Sequence, residues 1–235
     1  MKYSVVIPAY NEAEYIEAAI RALILQNVKR SEFEIIVVDN NSTDNTSELA
    51  LNAGADIVIK KITRGTNFAR QEGFKKSKGE IVAFLDADSE PPPDWLERIG
   101  KILSGSEVAA VSGPYDYNFK GIKKMLDYFY TRYILPNAPL VLNFIFRKKA
   151  GIIIGGNLAA KRSTIEAIGG LPLLTFWSDD AAIAILISRK VGKVIFNPDL
   201  VVKSSPRRFE KGGLLKSVLL YIIAYLRAYF SRNYR

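Results

Sequence analysis

Four short apolar runs, residues 3–8, 34–38, 55–59 and 80–85, alternate with stretches whose apolar positions recur at helical spacing, and nothing else in this sequence narrows the fold as far. Residues 14–26 show the helical pattern at Ile16, Ala19, Ile20, Leu23 and Ile24. The runs at 3–8, 34–38 and 81–85 are largely apolar rather than alternating and read as buried strands; residues 55–59 read as a third strand. Strands alternating with helices predict a parallel, doubly wound α/β sheet with right-handed crossovers. Further on, the prolines at 91–93 are read as starting a helix through Trp95, Ile99 and Leu103, and residues 108–112 as another strand. Residues 120–146 form a mixed aromatic, apolar and basic stretch broken by Pro136 and Pro139. A short helix over 163–168 stops at Gly169-Gly170; a helix over 180–189, a strand over 193–197 and a helix over 214–229 complete the chain. At 235 residues this is one large domain or two small ones.

Composition removes whole classes of chemistry. With no cysteine there is no disulfide, zinc-thiolate site, iron–sulfur cluster or thiol nucleophile. With no histidine, the commonest general base and the commonest transition-metal ligand are missing too. A base must then be a carboxylate, Lys or Tyr, and a metal must be a hard ion held by oxygens, Mg²⁺ or Mn²⁺. No Gly-x-Gly-x-x-Gly and no Walker loop occurs, which argues against a dinucleotide enzyme or a P-loop kinase.

Four constellations carry candidate chemistry. Asp86-Ala87-Asp88 follows the buried run at 81–85, so it stands at a carboxyl strand end, where open α/β sheets bind ligands. On an extended strand end residues i and i+2 point the same way, and two carboxylates can share one hard cation; a plain turn is the alternative. Asp39, ending the second strand, can accept a hydrogen bond from a ring N–H of a nucleobase, while Thr43 or Asp44 can cap the next helix. In Pro8-Ala9-Tyr10-Asn11-Glu12 the tyrosine ring can stack on a base; a helix entry capped by Asn11 is the plainer reading. Asp179-Asp180 precedes a helix, where carboxylates are stabilised as anions, and in a chain without histidine such a group is the natural base for a hydroxyl.

Taken in order, the segments VVIPAYNE, EIIVVDNNSTDNT, GTNFARQEG, GEIVAFLDADSEPPPDWL, GGNLAAKRSTIEAIGGLP and SDDAAIAILISRKVGKVIFNP resemble the inverting family 2 glycosyltransferases of the GT-A fold, over residues 3–209. The resemblance implies a UDP- or GDP-linked sugar donor, Mg²⁺ or Mn²⁺, and inversion at the anomeric carbon. It implies nucleotide-binding roles for Pro8, Ala9, Tyr10, Glu12, Asp39, Arg70 and Asp86, metal ligation by Asp88 with Asp86, and Asp180 as the base. The family's usual Glu-Asp pair is Asp179-Asp180 here, so Asp179 stays the alternative base, and Arg189 lies late for the arginine that normally follows. Gly156, Asn157, Arg207 and Arg208 are candidates for phosphate or acceptor contacts. Residues 1–115 are expected to form the nucleotide-sugar half, 116–203 the acceptor half, and 204–235 a basic, apolar tail.

The net charge of +9 is unevenly placed: from Lys203 onward there are eight Lys or Arg and only Glu210. Apolar and aromatic residues among those charges favour an anionic membrane surface over nucleic acid. Residues 214–226 are too short and interrupted to span a bilayer; an interfacial helix fits better, with residues 128–146 a second such surface and a core or dimer helix the alternative. The N-terminus reads as a strand and not a signal peptide, so the expected place is cytoplasmic, peripheral on the inner face of the cell membrane, with a lipid or glycan acceptor. Two other readings are a nucleotidyltransferase, against which stands the lack of a glycine-rich, lysine-containing phosphate loop, and an inactive transferase-like membrane module, against which stand Asp39, Asp86, Asp88 and Asp180.

Overall fold

A computed structural model describes residues 1–60, 65–172, 179–207 and 214–231, with backbone alone for 214–218. The chain runs β1 (Tyr3–Ala9), α1 (Ile16–Ile24), β2 (Phe33–Asp39), α2 (Thr46–Asn52), β3 (Ile57–Lys60), α3 (Thr66–Lys76), β4 (Ile81–Leu85), β5 (Ser89–Glu90), α4 (Trp95–Leu103), β6 (Val108–Ser112) and β7 (Tyr115–Asp116). It continues through α5 (Gly121–Phe129), a π-helical turn (Tyr130–Ile134), α6 (Leu135–Phe146), β8 (Asn157–Lys161), α7 (Arg162–Ala167), α8 (Asp179–Lys190), β9 (Lys193–Phe196), β10 (Val202–Ser204) and α9 (Leu214–Phe230).

Seven strands form the main sheet in the order β3-β2-β1-β4-β8-β6-β9. The apolar character of β1, β2 and β4 has the cause the sequence indicated, burial on both faces, whereas β3 at the sheet edge is half-buried and ends on the exposed Lys60. Tyr3, Val5 and Ile7 of β1 and Ile35 and Val37 of β2 pack with Ile16, Ile20, Trp95 and Ile99 on one side. Val6, Ile36, Val38 and Phe84 pack with Ala69, Phe74, Ile183 and Ile187 on the other. The period-2 alternation of the pleat sorts each strand between two cores.

One strand departs from the parallel expectation. β8 lies between β4 and β6 and runs antiparallel to both, pairing Leu85 with Asn157 and Ser112 with Leu158. An antiparallel strand begins where its parallel neighbours end. The turn that enters β8, Gly155-Gly156, is thereby carried to the carboxyl edge of the sheet, next to Asp86. A three-stranded sheet, β5-β10-β7, was not anticipated; its strands have only two or three residues each and no readable period. It joins the segments that follow Asp88, Ser112 and Leu200, so it gathers Asp88, Tyr115 and Arg207 over that same edge.

The prolines at 91–93 precede α4 rather than starting it, because Asp94 is the residue before the first helical position. Their carbonyls are used instead: Pro92 accepts from Gln26 Nε2 (2.7 Å) and Pro93 from the Asn27 N–H (2.7 Å). Residues 121–146 are helical without a break, against the expectation. Pro136 is the second residue of α6, directly after the π-helical turn, and Pro139 lies inside that helix, so neither proline ends the helical run. Among the described residues no helix is long and apolar enough to cross a membrane.

The last helix is two-faced. Tyr225, Ala228 and Tyr229 are buried against Leu135, Ile152, Ala181, Ile185 and Phe196, forming a third apolar cluster. Leu219, Leu220, Ile222, Ile223 and Leu226 remain exposed. One face of α9 is therefore that of a core helix, and the other is apolar and exposed. Lys216 lies outside the described side chains.

Candidate active site

The loops after β1 and β2 are pinned to each other. The Asn11 side-chain oxygen accepts from the Thr43 N–H (2.8 Å), the Asn11 N–H donates to Ser42 Oγ (2.9 Å), and the Glu12 N–H donates to Thr46 Oγ1 (2.9 Å). Asn11 sits at φ 53°, in the left-handed region asparagine tolerates, so it bridges loops rather than capping α1, whose cap position is Tyr15. Asp44, not Thr43, serves the start of α2, accepting the Thr46 N–H at 3.1 Å. The bracing leaves Pro8 and Ala9 at the end of β1, an exposed Tyr10, and Asp39 at the end of β2 on one side of the sheet edge. Asp39 is buried; one oxygen accepts the Ser42 N–H (2.8 Å) and the other the Ser47 hydroxyl. A carboxylate has about four acceptor positions, so each oxygen keeps one for a ligand.

At the centre stands Arg70, on α3 and only 5% exposed. Nη2 meets Asp86 Oδ1 at 3.1 Å and Nη1 meets Asp180 Oδ1 at 3.3 Å. Burial alone would lower the guanidinium's pKa; the charges of Asp180 and Asp86 outweigh it and the net shift is upward. Arg70 therefore holds together two carboxylates that are distant in sequence, one after β4 and one opening α8. Asp86 also accepts the Tyr115 hydroxyl at 2.7 Å, and Asp180 accepts the Gly155 N–H at 2.9 Å. Any side chain at the entry to β8 would collide with this cluster. A Cβ on Gly155 would lie 2.1 Å from Asp180 Oδ1, and one on Gly156 2.0 Å from Asp86 Cγ. Both glycines are required by close approach.

Asp88 and Glu12 share a second cation. Arg207 Nε is 3.2 Å from Asp88 Oδ2, Arg207 Nη2 pairs with Glu12, and the guanidinium lies over the Tyr15 ring at 4.7 Å. Burial pushes Glu12 up, with Arg207 opposing; Asp88 is raised by burial and then by Asp86. Asp179 stands apart. Its Oδ1 is buried without a partner among the described residues, and burial together with the charge of Asp180 raises its carboxyl to about 7.

The structure thus brings Glu12, Arg70, Asp86, Asp88, Asp180, Gly156 and Arg207 to one edge, with Pro8, Ala9, Tyr10 and Asp39 beside them. Asn157 is fully buried and its amide is used inside the fold: it accepts from Trp95 Nε1 (3.0 Å) and donates to the carbonyls of Leu200 (2.8 Å) and Pro114 (3.2 Å). Arg208 lies outside the described residues. Arg189 reaches Lys149 O (3.3 Å) and Tyr229 O (2.9 Å), so it serves the docking of α9. Sequence reasoning missed Tyr115 and Gly155. The place of Tyr115 just beyond the carboxyl end of β6 was the available signal, whereas Gly155 is marked only by the antiparallel entry of β8.

The family described as Glycosyl transferase family 2 matches residues 4–169, most of the chain. This protein belongs to it. Among curated relatives, glycosyltransferase AglE of Haloferax volcanii is 39% identical over 121 residues, which is 49% of this chain and 40% of AglE. Dolichol-phosphate mannosyltransferase of Pyrococcus furiosus is 29% identical over 206 residues, 84% of this chain and 56% of that enzyme. This family 2 chain thus spans about half the length of the curated relatives it matches. A solved mannosyltransferase from Pyrobaculum calidifontis, in complex with GDP-Man and Mn²⁺, superposes with a TM-score of 0.75 at 24% identity, covering 98% of this chain and 64% of that one. Glucosyl-3-phosphoglycerate synthase from Mycobacterium tuberculosis, with Mn²⁺, UDP-glucose and phosphoglyceric acid, gives 0.63 at 22% identity, covering 97% and 79%. These likenesses establish the GT-A fold for this chain.

Proposed function

We propose that this family 2 chain moves a sugar from a UDP- or GDP-linked donor to an acceptor hydroxyl or phosphate by one inverting displacement, with Asp180 as the base. The observation that carries the reading is the buried Arg70 bridge between Asp86 and Asp180. It fixes the carboxylate that follows β4 and the one on α8 on either side of a single guanidinium. Residues 1–115 then supply the nucleotide half: Asp39 accepts a ring N–H, Tyr10 stacks, and Pro8 and Ala9 form the wall beside them. Residues 116–203 supply the acceptor half. Asp180 takes the proton of the attacking hydroxyl while the nucleoside diphosphate leaves from the opposite face. No enzyme nucleophile is required. Arg207, and Arg208 beside it in sequence, suit the diphosphate, since guanidinium forks match phosphate oxygens.

Among the described residues no three acidic side chains converge into a dedicated metal cage. That suits Mg²⁺ or Mn²⁺, which binds through one or two carboxylates plus substrate phosphates. Asp88 with Asp86 would hold it, and Glu12 Oε2, buried without a partner, shows acceptor capacity left over in the same cluster. Bound there, the ion would offset charge developing on the leaving diphosphate.

The acceptor is proposed to be lipid-borne or a glycan at an anionic membrane. Phe144 is 87% exposed, and Ile122, Met125, Leu140, Ile145, Leu219 and Ile222 are exposed with it on α5, α6 and α9. Soluble proteins rarely leave so much apolar surface uncovered. Lys120, Arg147, Lys148 and Lys149 flank these helices in sequence, and Lys123 and Lys124 lie on α5, the charge an anionic headgroup layer attracts.

Thermal shift and calorimetry with GDP, UDP and their sugars, with and without Mn²⁺, test the donor reading. Metal-dependent binding by the intact chain and its loss in Asp88→Ala, at unchanged melting temperature, are expected. Nucleotide binding that ignores the metal in both proteins would refute the assignment.

A further inference from the structure

Helix α9 carries Tyr221, Tyr225 and Tyr229 four residues apart, so three hydroxyls fall on one face. Each donates to a main-chain carbonyl of a single neighbouring run: Tyr221 to Ile153 (3.1 Å), Tyr225 to Gly151 (2.8 Å) and Tyr229 to Lys148 (2.9 Å). That run, residues 147–154, belongs to no strand, so its carbonyls lack a ladder and need donors from elsewhere. The rings stand along it in series, with centroids 6.5 Å and 6.4 Å apart. Phenylalanine would pack equally well, so the hydroxyls are what distinguish this face.

The run ends at Gly155, whose N–H holds Asp180 Oδ2 at 2.9 Å. The other side of that hydrogen bond is also tied to α9. Asp180 opens α8, and α8 packs Ala181 and Ile185 against Tyr225, Ala228 and Tyr229. Arg189, near the end of α8, donates to Tyr229 O at 2.9 Å. One helix therefore grips both the strand-like run carrying the donor N–H and the helix carrying the carboxylate. Burial and the nearby charge of Asp180 push the Tyr221 hydroxyl well up, which keeps it a neutral donor.

We propose that Tyr221, Tyr225 and Tyr229 are positioning residues: their hydroxyls set the height of the 147–154 run and so the Gly155–Asp180 contact, making α9 a structural part of the active site. This rests on Asp180 being the base. It also assigns the two faces of α9 separate work, the tyrosine face inward on the site and the aliphatic face outward.

The test uses the full chain and Tyr221→Phe, which keeps the ring and deletes one donor. Hydrogen exchange of the Gly155 amide needs no ligand and is expected to quicken about fivefold or more, the weakening expected of one lost neutral hydrogen bond. Exchange in the rest of α8 and α9 should stay as in the parent, and the melting temperature should fall by no more than about 2–4 °C, the cost of that one bond in a domain of this size. With Mn²⁺ and GDP-mannose, GDP release is expected to fall about tenfold in kcat with KM unchanged, the signature of a misplaced group rather than a lost binding contact. An unchanged Gly155 amide would overturn the proposal. So would quickened exchange spread over all of α9 with a larger fall in melting temperature, which would mean simple undocking. Tyr225→Phe serves as a second variant that must move the same amide. If the parent releases no nucleoside diphosphate from any UDP- or GDP-linked sugar, the transferase reading fails, while the exchange result still decides the positioning claim.

Discussion

Replacing Arg70 with methionine keeps much of the side-chain volume and removes the one cation between Asp86 and Asp180. The guanidinium is buried and lies 3.1 Å and 3.3 Å from the two carboxylates. Deleting one member of a buried ion pair generally costs about 3–5 kcal/mol, because the remaining charge is left without compensation. Here the low end applies, about 3 kcal/mol, since Asp86 keeps the Tyr115 hydroxyl, Asp180 keeps the Gly155 N–H, and their side chains are 35% and 27% exposed. In urea, with a slope of about 2–3 kcal/mol per molar, the midpoint should fall by about 1–1.5 M. Adding Asp86→Asn should restore about half of that loss, because one of the two uncompensated charges is then gone. The assay is urea unfolding of the parent, the single variant and the double variant at pH 7.5. A loss below about 1 kcal/mol, or a double variant less stable than Arg70→Met, would refute the view that Arg70 compensates charge at this edge.

Asp180→Asn should keep metal-dependent nucleotide binding and lose transfer by about 10²–10⁴-fold, with Asp179→Asn milder; steady-state kinetics that reverse this order would move the base to Asp179. The Asp179 carboxyl is at about 7 in the fold against 3.8 as a free group, so between those values the folded state binds more proton and stability falls as pH rises. Asp179→Asn should remove that slope and gain about 1 kcal/mol at pH 8, the nominal shift being discounted for partial exposure, and equal denaturation midpoints of variant and parent at pH 8 would contradict this. Co-sedimentation with phosphatidylglycerol vesicles should retain the intact chain and lose a Phe144→Ser, Ile145→Ser, Ile223→Ser variant; equal retention of the two would remove the apolar helices from membrane docking.

Several parts of this protein are legible without coordinates because they depend on short-range repetition. Strands buried on both faces must be apolar at every position, and helices packed on one face must repeat near 3.6, so β1 to β4 and their helices could be read directly. The acids of the site were legible for a related reason: a parallel sheet puts its strand ends on one edge, so Asp39, Asp86 and Asp88 share it wherever the chain goes next. What depends on long-range pairing was not legible. The direction of β8 is set by its neighbours, and with it the place of Gly155-Gly156. The small β5-β10-β7 sheet is too short to carry a period, yet it helps bring Arg207 to Asp88 across more than half the sequence. The tail shows the same division. Its basic and apolar composition suggested an interfacial helix, and in the fold Leu219, Leu220, Ile222, Ile223 and Leu226 are exposed. Only packing decided that Tyr225 and Tyr229 turn inward, because the unpaired carbonyls of residues 147–154 offer acceptors that no local pattern in the tail could announce.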